Sequence, residues 1–207
     1  MSFPITPTVY HRDKLRFLRL PIDSSWDFGI TRALAVPALA RLSYAFPGDD
    51  PIDEMISLIR RSSCQVKTLR CDDIAQPRDL VRLMPSLEEI TLGMDSLDDV
   101  MLLDEFLERL SDPPPLDPTN DDHKAFLPCL RYLCFEGCQV FSYDRLYDML
   151  SCSHRKSMVF KAFVVSSLVG TDDVALRLLR LVDEGVDLSI FLWDRSFGGG
   201  KREKTSR

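Results

Sequence analysis

Four residues in the C-terminal half of the chain have side chains of the types that bind zinc. Cys134 and Cys138 are separated by three residues, and Cys152 and His154 follow further along. Thiolate and imidazole are the usual ligands of a tetrahedral Zn²⁺. However, Cys134 falls on the outward side of a predicted strand, and Cys138 fits the turn that follows this strand. Cys152 and His154 end a predicted helix. We therefore expect no metal site.

Residues that could act in catalysis are scattered. The three histidines are His11 near the start of the chain, His123 in a polar insertion, and His154. Adjacent carboxylates such as Glu88 and Glu89 point in different directions on a strand, so they do not converge on a substrate. We find no glycine-rich phosphate loop, G-x-S-x-G elbow or H-E-x-x-H motif. The sequence predicts no enzyme activity and no cofactor.

In several short segments, polar and aromatic residues alternate with apolar ones. This pattern fits a binding surface better than a metal site or a catalytic site. Side chains alternate along a strand, so one set packs inward and the other faces out. Arginine and aromatic side chains on a rigid sheet are suited to anchoring a protein partner. The alternative is a solvated face that only keeps the sheet soluble. We expect three arginines to stack into a basic stripe that ends at an acidic position. The predicted partner-binding residues are Phe17, Arg19, Arg41, Ser43, Thr68, Arg70, Glu89, Thr91 and Tyr132, and Cys134, Ala162 and Val164 are also predicted to face outward.

These residues belong to a repeated pattern. Residues 130–140 fit L-x-x-L-x-L-x-x-N/C-x-L, with Phe135 and Val140 in two leucine places. A second unit covers 87–97 and has Asp95 where asparagine or cysteine is usual. Weaker units keep only the strand portion. The first apolar positions of the six units are residues 15, 39, 66, 87, 130 and 160, with Phe160, Phe163 and Val165 predicted to point inward in the last.

The spacing between most units is close to the ~20–29 residues of leucine-rich repeats. The largest gap contains residues 111–125, which hold four prolines and five Asp or Asn residues. This segment predicts a disordered acidic insertion. Three units have a proline shortly before the strand, at Pro37, Pro85 and Pro128. Proline has no backbone N–H, and none is needed there because strand pairing has not yet begun.

Helix patterns with start and stop signals lie between the strands. Predicted starts are Pro51, Ser96, Ser142 and Thr171, and Gly185 is a predicted stop. Alternating strands and helices predict the α/β class. Charged residues interrupt nearly every strand, so one sheet face should be open to water. We therefore predict a short, irregular leucine-rich-repeat solenoid, with parallel strands on one face and helices on the other. The alternative is an ordinary α/β domain with both sheet faces covered.

The predicted organisation has three parts. Residues 1–11 are an N-terminal extension or cap, residues 12–196 form the repeat domain, and residues 197–207 are a flexible basic tail. The net charge of −6 makes nucleic acid a poor partner. No apolar run reaches the ~20 residues needed to cross a bilayer, so we expect no membrane partner. Without an export signal, the six cysteines predict reduced thiols and a location in the cytoplasm or nucleus.

The chain resembles the repeat regions of fungal F-box-type leucine-rich-repeat proteins. The resemblance is carried by residues 84–92 (MPSLEEITL), 127–133 (LPCLRYL) and 184–190 (EGVDLSI), and it covers roughly residues 12 to 193. It implies a substrate receptor, in which the repeats hold a target while an F-box recruits a ubiquitin ligase through its adaptor.

The sequence departs from that family in one respect. About ten residues precede the first predicted strand, too few for the helical F-box module. We therefore expect a ligase adaptor as a partner only if a longer form carries an F-box. The alternative is a free-standing repeat scaffold, or a receptor fragment without a ubiquitin role.

Overall fold

A computed structural model describes residues 9–20, 29–45, 52–72, 77–94, 99–112, 126–138, 142–155, 157–164 and 172–192. These residues form an α/β structure of nine strands and six helices. The strands are β1 (Tyr10–His11), β2 (Phe17–Leu20), β3 (Leu34–Ala35), β4 (Arg41–Tyr44), β5 (Thr68–Cys71), β6 (Glu89–Gly93), β7 (Tyr132–Cys138), β8 (Val159–Val164) and β9 (Asp187–Leu192). The helices are α1 (Gly29–Ala33), α2 (Ile52–Ser62), α3 (Pro77–Arg82), α4 (Asp99–Ser111), α5 (Tyr143–Ser151) and α6 (Asp172–Asp183).

Seven of the strands form one parallel sheet in the order β2-β4-β5-β6-β7-β8-β9. The spatial order is therefore the chain order, and each strand of this sheet pairs with the next one along the chain. The two remaining strands, β1 and β3, form a separate parallel pair in which Tyr10 is opposite Leu34. The predicted α/β class and the parallel pairing are confirmed.

The backbone enters successive strands of the large sheet in a repeated way. The carbonyl of Ala40 accepts hydrogen bonds from the amides of Lys67 and Thr68, at 2.8 and 3.1 Å. The carbonyl of Lys67 accepts from Glu88 and Glu89 in the same manner. The carbonyls of Arg16 and Glu88 each accept two hydrogen bonds in the same way, from the first amides of β4 and β7 and from those of the residues before them. Four successive strands therefore begin with the same hydrogen-bond pattern.

A tight turn precedes several of these strands, closed by an amide-to-carbonyl bond between residues three apart. Pro37, Pro85 and Pro128 each occupy the second place of such a turn, where the fixed φ of proline is favourable. The three prolines were predicted at strand entry, and the turn explains their position. The turns are Arg12–Leu15, Val36–Leu39, Met84–Leu87, Leu127–Leu130 and Arg155–Met158.

One continuous apolar cluster holds the strands and helices together. Each strand of the large sheet contributes inward side chains in two rows, and the helices contribute their apolar stripes to the same cluster. The first row is Leu18, Leu42, Leu69, Ile90, Leu133, Phe160 and Leu188, and the second is Leu20, Tyr44, Cys71, Leu92, Phe135, Ala162 and Ile190.

Two predicted helix boundaries are confirmed in detail. The Ser142 hydroxyl accepts a hydrogen bond from the Arg145 amide at 3.3 Å, which caps α5. Gly185 has φ +95° and ends α6, with its amide bonded to the Val182 carbonyl at 2.9 Å. A positive φ favours glycine here because it has no Cβ to strain.

Several expectations were wrong. Ala162 is buried, whereas Phe163 faces outward, so the last predicted unit has its strand out of register. Two apolar helix residues also lie outside the core, since Met101 and Leu179 are 82% and 60% exposed. Ser111 ends α4 and so is not part of the insertion. The rest of that insertion from residue 113, the tail at 197–207 and residues 1–8 lie outside the described residues.

Candidate protein-binding face

The outward side chains of the large sheet form a surface that we call the open face. All nine predicted binding residues lie on it, in two adjacent rows set by the strand register. The first row is Phe17, Arg41, Thr68, Glu89, Tyr132, Val159 and Asp187, and the second is Arg19, Ser43, Arg70, Thr91, Cys134, Lys161 and Ser189. A third, partial row contains Gly93, Glu136, Phe163 and Phe191. Most of these residues are exposed or half-buried.

The predicted single stripe of three arginines does not form. Arg19 and Arg70 lie in one row with Ser43 between them, and Arg41 lies in the neighbouring row. The reason is that the arginine of β4 occupies the earlier of the two outward positions. Arginines therefore alternate between rows instead of stacking.

Arg70 belongs to an ion-pair network at the centre of the open face. Its Nη2 is 2.6 Å from Glu136 Oε2 on β7, and its Nε is 3.7 Å from Asp72 Oδ1. The strand between β5 and β7 carries Gly93 in the row of Glu136, so no side chain stands in the way. A Cβ on Gly93 would be 2.7 Å from the Asp72 Cα, which is too close. Glycine is required there.

Charges just before the central strands β5 and β6 are also paired. Lys67 Nζ is 2.7 Å from Glu88 Oε1, and the hydrogen bond lowers the pKa of the Glu88 carboxyl. Thr68 donates its hydroxyl hydrogen to Glu89 Oε2 at 3.2 Å. Arg70 and Lys67 are thus paired with the protein's own carboxylates.

Aromatic rings occur at both ends of the open face. Phe17 on β2 is 53% exposed. Near the other end, the rings of Phe163 and Phe191 are stacked with centroids 4.8 Å apart, and Lys161 Nζ is 5.6 Å from the Tyr132 ring centroid. Exposed rings next to cations provide contact area at a small cost in side-chain entropy.

The thiol of Cys134 is the least accessible group of the second row, at 2% exposure. Burial is the main cause that raises its pKa. A thiol in that state is a poor nucleophile, because the thiolate is the reactive form.

The other zinc candidates lie elsewhere in the fold. Cys152 donates to the Ser111 carbonyl at 3.3 Å, and His154 Nε2 is 3.3 Å from the Leu110 carbonyl oxygen. Both contacts are at the C-terminal end of α4, whereas Cys134 is on the sheet. Within the described ranges, no group of three or more potential ligands is placed to hold a metal ion.

Arg155 is a structural residue that the sequence reasoning missed. It is only 3% exposed, and its guanidinium donates to the carbonyls of Leu110, Leu127 and Phe126 at 3.2, 3.0 and 2.6 Å. Burial lowers its pKa. These bonds join the end of α4 to the segment that leads into β7, so Arg155 helps to set the position of that strand. Its only sequence signal is an arginine beside the helix end at Cys152.

No family model, curated protein or solved structure matches the chain at a significant level. Among the helices that the structure describes, none combines the length and the apolar character needed to cross a membrane.

Proposed function

We propose that the chain is a protein-recognition module, an irregular leucine-rich-repeat solenoid whose open face binds a protein partner. The observation that carries the proposal is the contrast between the two faces of the large sheet. Inward residues such as Leu69 and Ile90 are fully buried, whereas Arg41 and Glu89 on the other face are exposed. A sheet that presents charged, polar and aromatic residues on a rigid surface is suited to docking a protein.

The repeated backbone pattern supports the solenoid part of the proposal. Strands follow one another in chain order. Four successive strands, β4 to β7, each begin with two backbone N–H groups that donate to one carbonyl of the preceding strand's entry. Such regularity is expected when each unit contacts only its neighbours, as in repeat proteins. The helices between the strands differ in length, from the 5 residues of α1 to the 13 of α4.

The resemblance to F-box-type repeats extends the proposal to a substrate-receptor role, in which the open face holds a target for ubiquitin transfer. A ligase adaptor would then be a partner of a longer form that carries an F-box. A free-standing scaffold would use the same face without the adaptor. Co-purification of the adaptor with the longest natural form of the protein distinguishes the two roles. In both, the chain binds and does no chemistry itself.

A pair of matched substitutions tests the open face. Thr91→Arg adds a bulky charge at the middle of the face, and Met101→Arg adds the same side chain on α4, where the native methionine is 82% exposed. Wild type and both variants are used to capture partners from a lysate of the source cells, with quantitative mass spectrometry. We expect wild type and Met101→Arg to capture the same partners. Thr91→Arg should capture about tenfold less of each partner, or lower amounts still.

The proposal is overturned if Thr91→Arg retains the same partners as wild type, or if Met101→Arg is the variant that loses them. Circular dichroism melting of each variant shows whether a loss comes from unfolding. If Thr91→Arg does not fold, Tyr132→Ala replaces it, since removal of this half-exposed ring leaves the strand backbone intact.

A further inference from the structure

We propose that the N-terminal end of the open face recognises an acidic segment of the protein partner. This inference rests on the proposed function and specifies the chemistry of the ligand. It concerns four residues, Phe17, Arg19, Arg41 and Ser43, which we call the β2–β4 patch. Phe17 is opposite Arg41, and Arg19 is opposite Ser43.

The geometry of the β2–β4 patch places its two guanidinium groups on a common surface. Neighbouring strands lie ~4.8 Å apart, and residues two apart on one strand lie roughly 6–7 Å apart on the same face. Arg19 and Arg41 are therefore diagonal neighbours, with the Phe17 ring and the Ser43 hydroxyl at the other corners. Two long cationic side chains in this arrangement can reach carboxylates on one extended chain.

The charge of the β2–β4 patch differs from that of the central strands β5 to β7. Lys67 and Arg70 form ion pairs with carboxylates on the protein itself. By contrast, Arg19 and Arg41 make no ion pair with any residue in the described part of the chain. Their neighbours in the next strand are Ser43 and Thr68, which carry no charge. Among the described residues no carboxylate pairs with these two cations, so they are candidates to bind an anion of a partner.

The Phe17 ring favours a peptide as the source of that anion. The ring is 53% exposed beside both arginines, so an apolar side chain of the ligand can cover it while acidic side chains meet the guanidinium forks. Alternating acidic and apolar groups are typical of an extended peptide. Single-stranded nucleic acid also carries anions and apolar bases, but proteins bind it along an extended basic groove, and the β2–β4 patch offers two arginines.

The test is selection from a random dodecapeptide library displayed on phage, with wild type, the double variant Arg19→Glu/Arg41→Glu, and Arg60→Glu as the immobilised proteins. Arg60 is an exposed residue of α2, so its charge reversal is a matched control away from the sheet. We expect wild type and Arg60→Glu to enrich peptides rich in Asp and Glu. A synthetic selected peptide should bind the double variant at least about tenfold more weakly, with steep weakening by salt.

Three results would overturn the inference. They are peptides without acidic enrichment, selected peptides that bind the double variant as tightly as wild type, and tighter binding of a single-stranded DNA oligonucleotide than of the selected peptides. If the double variant does not fold, the single variants Arg19→Gln and Arg41→Gln replace it. If Thr91→Arg abolishes partner capture but the double variant captures the partner normally, the open face binds without this patch, so only the inference fails.

Discussion

Arg70 and Glu136 form an ion pair across an intervening strand, with 2.6 Å between the Arg70 Nη2 and the Glu136 Oε2. The pair joins β5 to β7 over β6, where Gly93 leaves room for it. The two side chains are 50% and 38% exposed, so solvent screens their attraction. The pair therefore neutralises the centre of the open face more than it stabilises the fold.

We predict a small coupling energy between these two residues. In a double-mutant cycle with Arg70→Ala and Glu136→Ala, the coupling in the free energy of unfolding should be at most about 1 kcal/mol and should shrink with added salt. Urea denaturation of the four proteins at low and high ionic strength measures it. A coupling of several kcal/mol would show that the pair is a structural element.

Gly93 should tolerate no side chain. Gly93→Ala places a Cβ 2.7 Å from the Asp72 Cα, and we expect a loss of about 1–3 kcal/mol in the free energy of unfolding. Thr91→Ala on the same strand is the control, because it removes atoms from a half-exposed position. Equal stability of Gly93→Ala and wild type would mean that Asp72 moves aside at no cost.

Arg155 should be one of the most sensitive polar residues in the chain. Arg155→Met removes a charged donor from three carbonyls, and a hydrogen bond from a charged group contributes roughly 1.5–3 kcal/mol. The carbonyls of Leu127 and Leu110 keep contacts with the Leu130 amide and His154 Nε2. We expect a total loss of about 3 kcal/mol or more in chemical denaturation. Arg131→Met, the same change at an exposed arginine, should cost little. The structural role assigned to Arg155 is wrong if the two variants are equally stable.

Cys134 should make the protein less stable at alkaline pH. Burial raises the pKa of its thiol above the ordinary value of 9.0, so the folded state holds the proton more tightly than the unfolded chain does. The stability that the thiol contributes is therefore complete below pH 9 and is lost as the pH rises through the folded-state pKa.

The measurement is the difference in unfolding free energy between wild type and Cys134→Ala at pH 7.5 and at pH 10. Cys64 and Cys152 also have raised pKa values because of burial, and their contributions cancel in this difference. Any advantage of wild type should shrink at pH 10. A difference that is constant with pH, or grows, would contradict the assignment. Iodoacetamide should label the exposed Cys129 well before Cys134.

The repeat pattern predicted most strands of the large sheet, including those of units that keep only the strand portion. The units that start at residues 15, 39, 66, 87 and 130 all contain a strand of this sheet in the expected register. Apolar residues alternate with mostly polar ones in these units because one sheet face is buried and the other is exposed to water. A register shift of one residue would exchange the two faces. The nine outward positions followed directly from this alternation.

The prediction failed where a hydrophobic residue lies outside the core. In β8, Phe163 looks like a core residue, but it is outward and stacks on Phe191, so each ring shields the other from water. The small Ala162 takes the buried place. Leu179 and Val182 are exposed on α6 for a related reason, because the helix buries a different stripe that includes Leu178 and Leu181.

Contacts between distant segments were beyond the sequence. The carbonyls that surround Arg155 come from residues 28 to 45 positions away. No local sequence pattern indicates such long-range contacts. The short helices α1 and α3 were also missed, because five and six residues are too few to show a helical period. The row of each arginine, by contrast, follows from its place in the repeat unit, because Arg41 is third in its unit whereas Arg19 and Arg70 are fifth.

Site-specific photocrosslinking shows which face of the protein a partner contacts. The photoreactive residue p-benzoylphenylalanine replaces Tyr132 on the open face in one protein, Phe17 in a second, and the exposed Met101 of α4 in a third. Each is irradiated in a lysate of the source cells. We expect a discrete crosslinked protein from Tyr132, Phe17 or both, and none from Met101. Crosslinking from Met101 alone, or to the same proteins with equal yield at all three positions, would contradict this expectation.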